Sequence, residues 1–214
     1  MKKILYVFLL CSSSVWAQKT FIHCGTILDT RTGKMTAKQT IVVEKNRILA
    51  VENGFTKATG SDKEIDLSSQ TVLPGLIDMH VHLESETSKD QYIKRMSMTA
   101  SDIAFEAQKN GMTTLMAGFT TVRDLGGSGV NISLRNAINK GTVAGPRIFT
   151  SGKTIATTGG HGDPTNGWRA DIQFPEGTDD GVVNSADEAR KAVRQRYQDG
   201  VDCIKITATG GVLS

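Results

Sequence analysis

The stretch Leu73-Pro74-Gly75-Leu76-Ile77-Asp78-Met79-His80-Val81-His82-Leu83-Glu84, LPGLIDMHVHLE, decides how this chain is read. A Pro-Gly turn signal leads into an apolar run that ends on two histidines one residue apart. In an extended strand, residues i and i+2 point to the same face, roughly 6.6 Å apart. His80 and His82 therefore project together. Paired imidazoles suit zinc and similar divalent ions; the plain alternative is two polar residues closing a strand. Under simple alternation Asp78 lies on the His80 face and Glu84 on the same side. Either is an outer partner that orients an imidazole, or part of a solvated strand end.

Beyond this strand, taken as Leu76 to Leu83, and a polar loop from Glu84 to Asp90, the pattern alternates. A helix is expected from about Ser101 to Met116, with Ile103, Ala104, Ala107 and Leu115 at helical spacing and Gly118 as its stop. Phe119 to Leu125 reads as a buried strand, Asn131 to Asn139 as a helix closed by Gly141, and Arg147 to Ile155 as a third strand. A Gly/Asp/Pro-rich loop runs from Thr157 to Gly181. Ser185 with Glu188 forms a capping-box signature opening a helix that Asp199-Gly200 ends, and Val201 to Thr207 is the fourth strand. Near-continuous apolar strands alternating with helices argue for parallel βαβ units. A full eight-stranded barrel needs ~250 residues, so these four strands would be only its first half. A doubly wound open sheet fits the length better, and the periodicity alone does not choose between them.

Upstream of the Pro-Gly turn, from about Thr20 to Val72, the pattern is strand-like and broken by turns. Phe21 to Cys24, Thr40 to Glu44 and Arg47 to Val51 read as strands, Asp29 to Gly33 as a turn, and Asn53-Gly54 as a hairpin signal. This is a small, mostly antiparallel β element at residues 18–72, an incomplete sandwich. His23 is an ordinary strand histidine. The first seventeen residues have a basic start (Lys2-Lys3), an apolar run from Ile4 to Leu10 and a small residue at Ala17, the layout of a secretory signal peptide cleaved after Ala17. A secreted or periplasmic protein is expected.

The chain has 214 residues, 38% hydrophobic and 22% charged, an ordinary globular balance. Residues 1–17 carry two lysines and no acid, so the net charge of +3 becomes +1 after cleavage. A near-neutral, scattered charge gives no footprint for nucleic acid or an anionic membrane, and Lys191 to Arg196 reads as the solvated face of a helix. Cys24 and Cys203 do not make a disulfide scaffold; Cys203 reads as a small buried residue. Gly126-Gly127 and Gly159-Gly160 lack the spacing of a phosphate-binding loop.

LPGLIDMHVHLE resembles the motif that opens the metal-dependent amidohydrolase superfamily. Ala117 to Gly127 (AGFTTVRDLGG), Gly145 to Asp163 (GPRIFTSGKTIATTGGHGD) and Gly200 to Gly211 (GVDCIKITATGG) match at family-like places. Together they resemble the peptidase-like branch, the Xaa-Pro dipeptidases and the relatives of imidazolonepropionase. The resemblance implies an α/β fold: the first half of a (β/α)8 TIM-like barrel over residues 73–214, preceded by a small β-sandwich element. It implies two divalent ions, zinc the expected metal, held by His80, His82 and Lys205. It further implies that carbon dioxide carboxylates Lys205 and that the ions lower the pKa of a shared water. A lysine flanked by Ile204 and Ile206 in a buried strand is costly unless neutralised, paired or modified, and burial favours the neutral amine that carboxylation needs. A lysine whose head snorkels out is the other reading.

The resemblance implies that His161, in the long loop, is a pocket residue in contact with substrate; a loop histidine that only hydrogen-bonds its neighbours is the equal alternative, while Arg123-Asp124 reads as a buried structural pair. The family's remaining ligands and its catalytic aspartate come from later strands, beyond Ser214, so the chain is expected to be an N-terminal portion. The implied activity of the whole enzyme is hydrolysis of a dipeptide or small amide, with a possible homo-oligomer. A cyclic-amide hydrolase is the enzymatic alternative, and a non-catalytic secreted binding fragment the rival from another class.

Overall fold

The computed structural model describes residues 18–169, 171–172 and 177–211, so the signal-peptide stretch 1–17 lies outside the described residues. The chain divides into two compact units, Met1–Pro74 and Gly75–Ser214.

The first unit is one four-stranded sheet of β1 (Lys19–Asp29), β2 (Lys34–Glu44), β3 (Arg47–Asn53) and β4 (Lys63–Val72), in the order β3-β2-β1-β4. The β1–β2 and β2–β3 pairs are antiparallel, while β4 runs parallel to β1. Asp29 builds the first turn: its Oδ1 accepts the Arg31 N–H at 2.9 Å and its carbonyl the Gly33 N–H at 2.8 Å. The tight β2–β3 hairpin turns at Lys45, whose φ is 53°. Asn53-Gly54, expected as a hairpin, instead ends β3. Thr40 Oγ1 donates to the Gly54 carbonyl at 2.7 Å and accepts the Thr56 N–H at 3.0 Å, drawing the following loop back over β2. His23 is buried; its Nε2 lies 2.8 Å from the Thr56 carbonyl and its Nδ1 3.5 Å from Glu64, an ordinary strand histidine as expected. Strand β4 gave no apolar signal because it is a polar edge, KEIDLSSQTV, of the kind that discourages edge-to-edge pairing.

The second unit contains β5 (Leu76–Val81), α1 (Gln91–Ser97), α2 (Ala100–Met116), β6 (Phe119–Asp124), α3 (Val130–Asn139), β7 (Arg147–Thr150), β8 (Ile155–Ala156), α4 (Ala186–Asp199) and β9 (Ile206–Thr207). Strands β5, β6 and β7 form a parallel sheet in that order. Helices α2 and α3 close one face of it around Leu83, Ala107, Val122, Leu134 and Ile148. Entry to the sheet is tight: a Cβ on Gly75 would lie 2.1 Å from Thr120 Oγ1, so only glycine follows Pro74. Helix α2 starts one residue before expectation, on a capping box between Thr99 and Asp102. Helix α1 shows no apolar stripe because it buries no residue.

Two expected strands are shorter in the structure. The Arg147 to Ile155 run breaks at Gly152, whose φ is +58°, leaving β7 and then β8. The Val201 to Thr207 run reduces to β9, which pairs with β8. Before it, Asp202 replaces ladder bonds with a side chain: Oδ2 accepts the Thr150 N–H at 2.9 Å while the Asp202 N–H donates to the Thr150 carbonyl at 2.8 Å. Helix α4 ends at Gly200 in the left-handed conformation. At its start Ser185 accepts the Glu188 N–H, and Glu188 reaches past Ser185 to the Asn184 N–H.

The other face of the β5-β6-β7 sheet stays open, as expected for the first strands of a barrel. Ile77, Met79, Thr121, Arg123, Phe149 and Cys203 line a hollow of about 310 Å³ there. Ile77 is 60% and Met79 53% exposed, so nothing among the described residues covers this apolar surface.

Arg196, expected on the solvated face of α4, is only 1% exposed. Its Nε donates to the Lys153 carbonyl at 2.9 Å and its Nη2 to the Asp179 carbonyl at 3.3 Å. Asp199 lies 3.6 Å from Nη1. One guanidinium thus joins α4, the approach to β8 and the loop before Val182. Arg196→Met leaves both carbonyls without their donor, and we expect a loss of about 2–4 kcal/mol in urea unfolding; a loss below about 0.5 kcal/mol would remove Arg196 from the framework.

Candidate metal centre

The site begins with an irregularity in β5. Asp78 pairs with Val122 and Val81 with Asp124, so three steps on β5 match two on β6. The extra residue is a β-bulge, and it orphans backbone groups that must find other partners. Asp78 Oδ1 accepts the His80 N–H at 3.0 Å. Arg123 Nε donates to the Met79 carbonyl at 2.8 Å. These two bonds correct three expectations. Asp78 shares the Val122 face and serves the His80 backbone, not an imidazole. Arg123 and Asp124 are not an ion pair: Arg123 lines the open hollow while Asp124 is fully buried.

Across the bulge the histidines do come together. The His80 and His82 rings lie 5.2 Å apart at 67°. His80 is held below the ordinary imidazole pKa, first by loss of hydration and then by the positive charges of Lys205, His82 and Arg123, with Asp78 opposing. The ring is thus biased toward its neutral form, which keeps a nitrogen lone pair for coordination. Lys205, the third expected residue, contributes to the positive field at His80. Lys205 is half-buried immediately before β9, and its carbonyl accepts the Ile155 N–H at 2.9 Å.

No group of three or more His, Cys, Asp or Glu that could hold a metal ion occurs among the described residues. The donors gathered here are two imidazoles and a lysine, chemistry that fits part of a binuclear centre once the amine is made anionic. His161 lies on the loop after β8, where its N–H donates to the Thr209 carbonyl at 3.0 Å; the next residue, Gly162, donates to Thr207 Oγ1 at 3.0 Å. The loop is therefore tied to the segment that carries Lys205. Tyr92 of α1 meets Trp168 of the same loop edge-on at 5.9 Å.

Glu84 is the residue the spacing misplaced. It is 9% exposed, and its carboxylate accepts the Ser128 N–H at 2.5 Å and the Asn131 N–H at 2.8 Å, at the start of α3. A Cβ on Gly127 would sit 2.6 Å from that carboxyl carbon, and one on Gly126 3.3 Å from His82 Cε1. The Gly126-Gly127 pair is thus a bare floor beneath His82 and Glu84. Beside it, burial raises the Asp124 carboxyl to about 7, with Glu84 adding to the rise; the bonds from the Leu83 N–H, Asn131 and Gly126 oppose it. Asp124 Oδ1 and Asn131 Oδ1 are both buried without a hydrogen-bond partner.

His80 and His82 stand where the parallel strand β5 ends, and Lys205 just before β9. The sequence profile of the amidohydrolase family matches residues 71–214, and the chain belongs to that family. Among solved structures, an Xaa-Pro dipeptidase with methionine bound in its active site is 48% identical, with a TM-score of 0.84 over 92% of this chain and 48% of its own. A prolidase complexed with N-methylphosphonate-L-proline is 33% identical, with a TM-score of 0.78 over 92% of this chain and 48% of its own. Ochratoxinase from Aspergillus niger is 26% identical over 96% of this chain and 45% of that enzyme. The chain spans about half the length of these relatives.

The Asp124 carboxyl has a testable sign. Its folded-state pKa of about 7 lies above the ordinary 3.8, so the native chain keeps a proton that the unfolded chain releases. Stability then falls as pH rises from about 4 to about 7, and the loss is complete above that window. Asp124→Asn, which keeps the volume without the titration, should flatten this slope in unfolding measured at several pH values. Equal slopes in the two proteins would show that Asp124 is ionised throughout.

Proposed function

We propose that this chain is the N-terminal portion of a metal-dependent amidohydrolase that cleaves the C–N bond of a dipeptide or a comparable small amide. The observation that carries this reading is the His80–His82 pair, its rings 5.2 Å apart, and the Lys205 charge that acts on His80 supports a place for the lysine beside it. The likeness to the Xaa-Pro dipeptidase and the prolidase supports the substrate class. The half-length span and the open inner face of the sheet support a centre that further residues complete.

His80 and His82 would each offer a neutral imidazole nitrogen. Lys205 would act as a carbamate: its ammonium first gives up one proton, the neutral Nζ adds to the carbon of carbon dioxide, and the N–C bond forms with release of a second proton. The product is an anion where a cation stood, which removes the positive charge facing His80. Two divalent ions, zinc the expected pair, would supply electrophilic polarisation of the scissile carbonyl and a lowered water pKa when bound. Arg123 holds the bulge that presents His80, and His161, tied to the Lys205 segment, would face the substrate. The layout of residues 1–17 supports export, with the mature chain starting at Gln18.

Metal analysis of the purified protein tests the centre. Wild type should carry divalent metal at neutral pH, and Lys205→Ala should lose at least half of it while keeping its circular dichroism. Unchanged metal content would take Lys205 out of the site. A panel of Xaa-Pro dipeptides against cyclic amides separates the substrate classes, and preference for the ring substrates would overturn the dipeptidase assignment. N-terminal sequencing of exported protein should begin at Gln18.

A further inference from the structure

The backbone around His82 is fastened on both sides by partners far along the chain. The Val81 carbonyl accepts the Leu125 N–H at 3.1 Å. The Leu83 N–H donates to Asp124 Oδ2 at 3.3 Å, and the Leu83 carbonyl accepts Asn110 Nδ2 at 2.9 Å. The last fastening is Glu84. Its two oxygens take two N–H groups from the start of α3, 44 and 47 residues away in sequence. A carboxylate there gains from charge-assisted hydrogen bonds and from the positive end of the helix. It holds the strand exit against the same Gly126-Gly127 floor on which the His82 ring lies.

A burial this complete is more than a helix needs for capping. Ser128 and Gly129 already supply a polar start, and Ser128 Oγ accepts the Val130 N–H at 3.4 Å. What only Glu84 does is bind the residue two positions beyond His82 to α3, across a gap in which the side chains of Gly126 and Gly127 are missing. Removing it leaves the His82 side of the centre attached only through the backbone bonds of Val81 and Leu83.

We propose that Glu84 is a positioning residue for His82: its carboxylate, seated on the Ser128 and Asn131 N–H groups, fixes the direction in which His82 presents its imidazole to a metal ion. This rests on the metal reading of His80, His82 and Lys205, and it assigns Glu84 no contact with substrate or metal.

Cobalt(II) is the probe, because its visible absorption reports ligand geometry as well as occupancy. With the purified protein, Glu84→Ala should bind Co²⁺ about 10- to 100-fold more weakly than wild type and show an altered visible spectrum. Glu84→Gln, which keeps the volume and one acceptor oxygen, should recover part of both. Thr99→Ala, which removes the cap of α2, serves as the control: it should lower the melting temperature and leave Co²⁺ affinity and spectrum unchanged. Should Glu84→Ala fail to fold, Glu84→Gln against Thr99→Ala carries the same comparison. Co²⁺ affinity and spectrum that match wild type in folded Glu84 variants would overturn the positioning role and leave the metal reading standing. Wild type that takes up no Co²⁺ would bring down both.

Discussion

The structure around the candidate centre depends on the second of two register shifts between β5 and β6. Between Asp78 and Val81 the first barrel strand carries a bulge, and the bulge leaves a backbone N–H and a carbonyl without ladder partners. Backbone groups left out of the ladder take other partners. Two side chains meet the need: Asp78 takes the His80 N–H, and Arg123 gives its Nε–H to the Met79 carbonyl. Their bonding is local and polar, yet it decides which way everything downstream points. Val81 and Leu83 turn into the helix-covered core, and His80 and His82 stay together on the other side.

Without the bulge, plain alternation puts Val81 on the face of Ile77 and Met79, and His82 on the face of Asp78. The apolar stem and the histidine-bearing tip could not both be satisfied. The bulge lets the stem line the inner hollow while the tip keeps an apolar residue for α2 and α3. Glu84 and Asp124 then settle the exit of the strand from beneath, in a buried polar layer that exchanges hydrogen bonds with Leu83, Ser128 and Asn131. The centre's imidazoles thus sit above a region where carboxyl groups are used for architecture.

Much of this was legible in the chain itself. The order of parallel strands and helices, the ends of α2 and α4 at Gly118 and Gly200, and the histidine pair all follow from local pattern, because each is set by residues within a few positions. Lys205 was singled out by the family resemblance of its motif; the buried strand expected around it is not seen, since Ile204 is 38% and Ile206 62% exposed. The misreadings share a different cause. Arg196 looked solvated because its partners are carbonyls at Lys153 and Asp179, 43 and 17 residues away. Glu84 looked like a strand end because its donors belong to a helix not yet reached. Strand β4 was invisible because an edge strand gains from being polar, and α1 because a helix that buries nothing needs no stripe. The bulge has no signature in one strand, since it exists only as a mismatch between two.

The brevity of β9 has a consequence for how the centre behaves. Its ladder is two residues long and its neighbour β8 is equally short, whereas β5 is held by β6 and by the buried carboxyl layer below it. Opening free energy follows such local bonding. Amide exchange is therefore expected to be faster along β9 than along β5. A ligand that engages both strands would spend part of its affinity ordering only one of them.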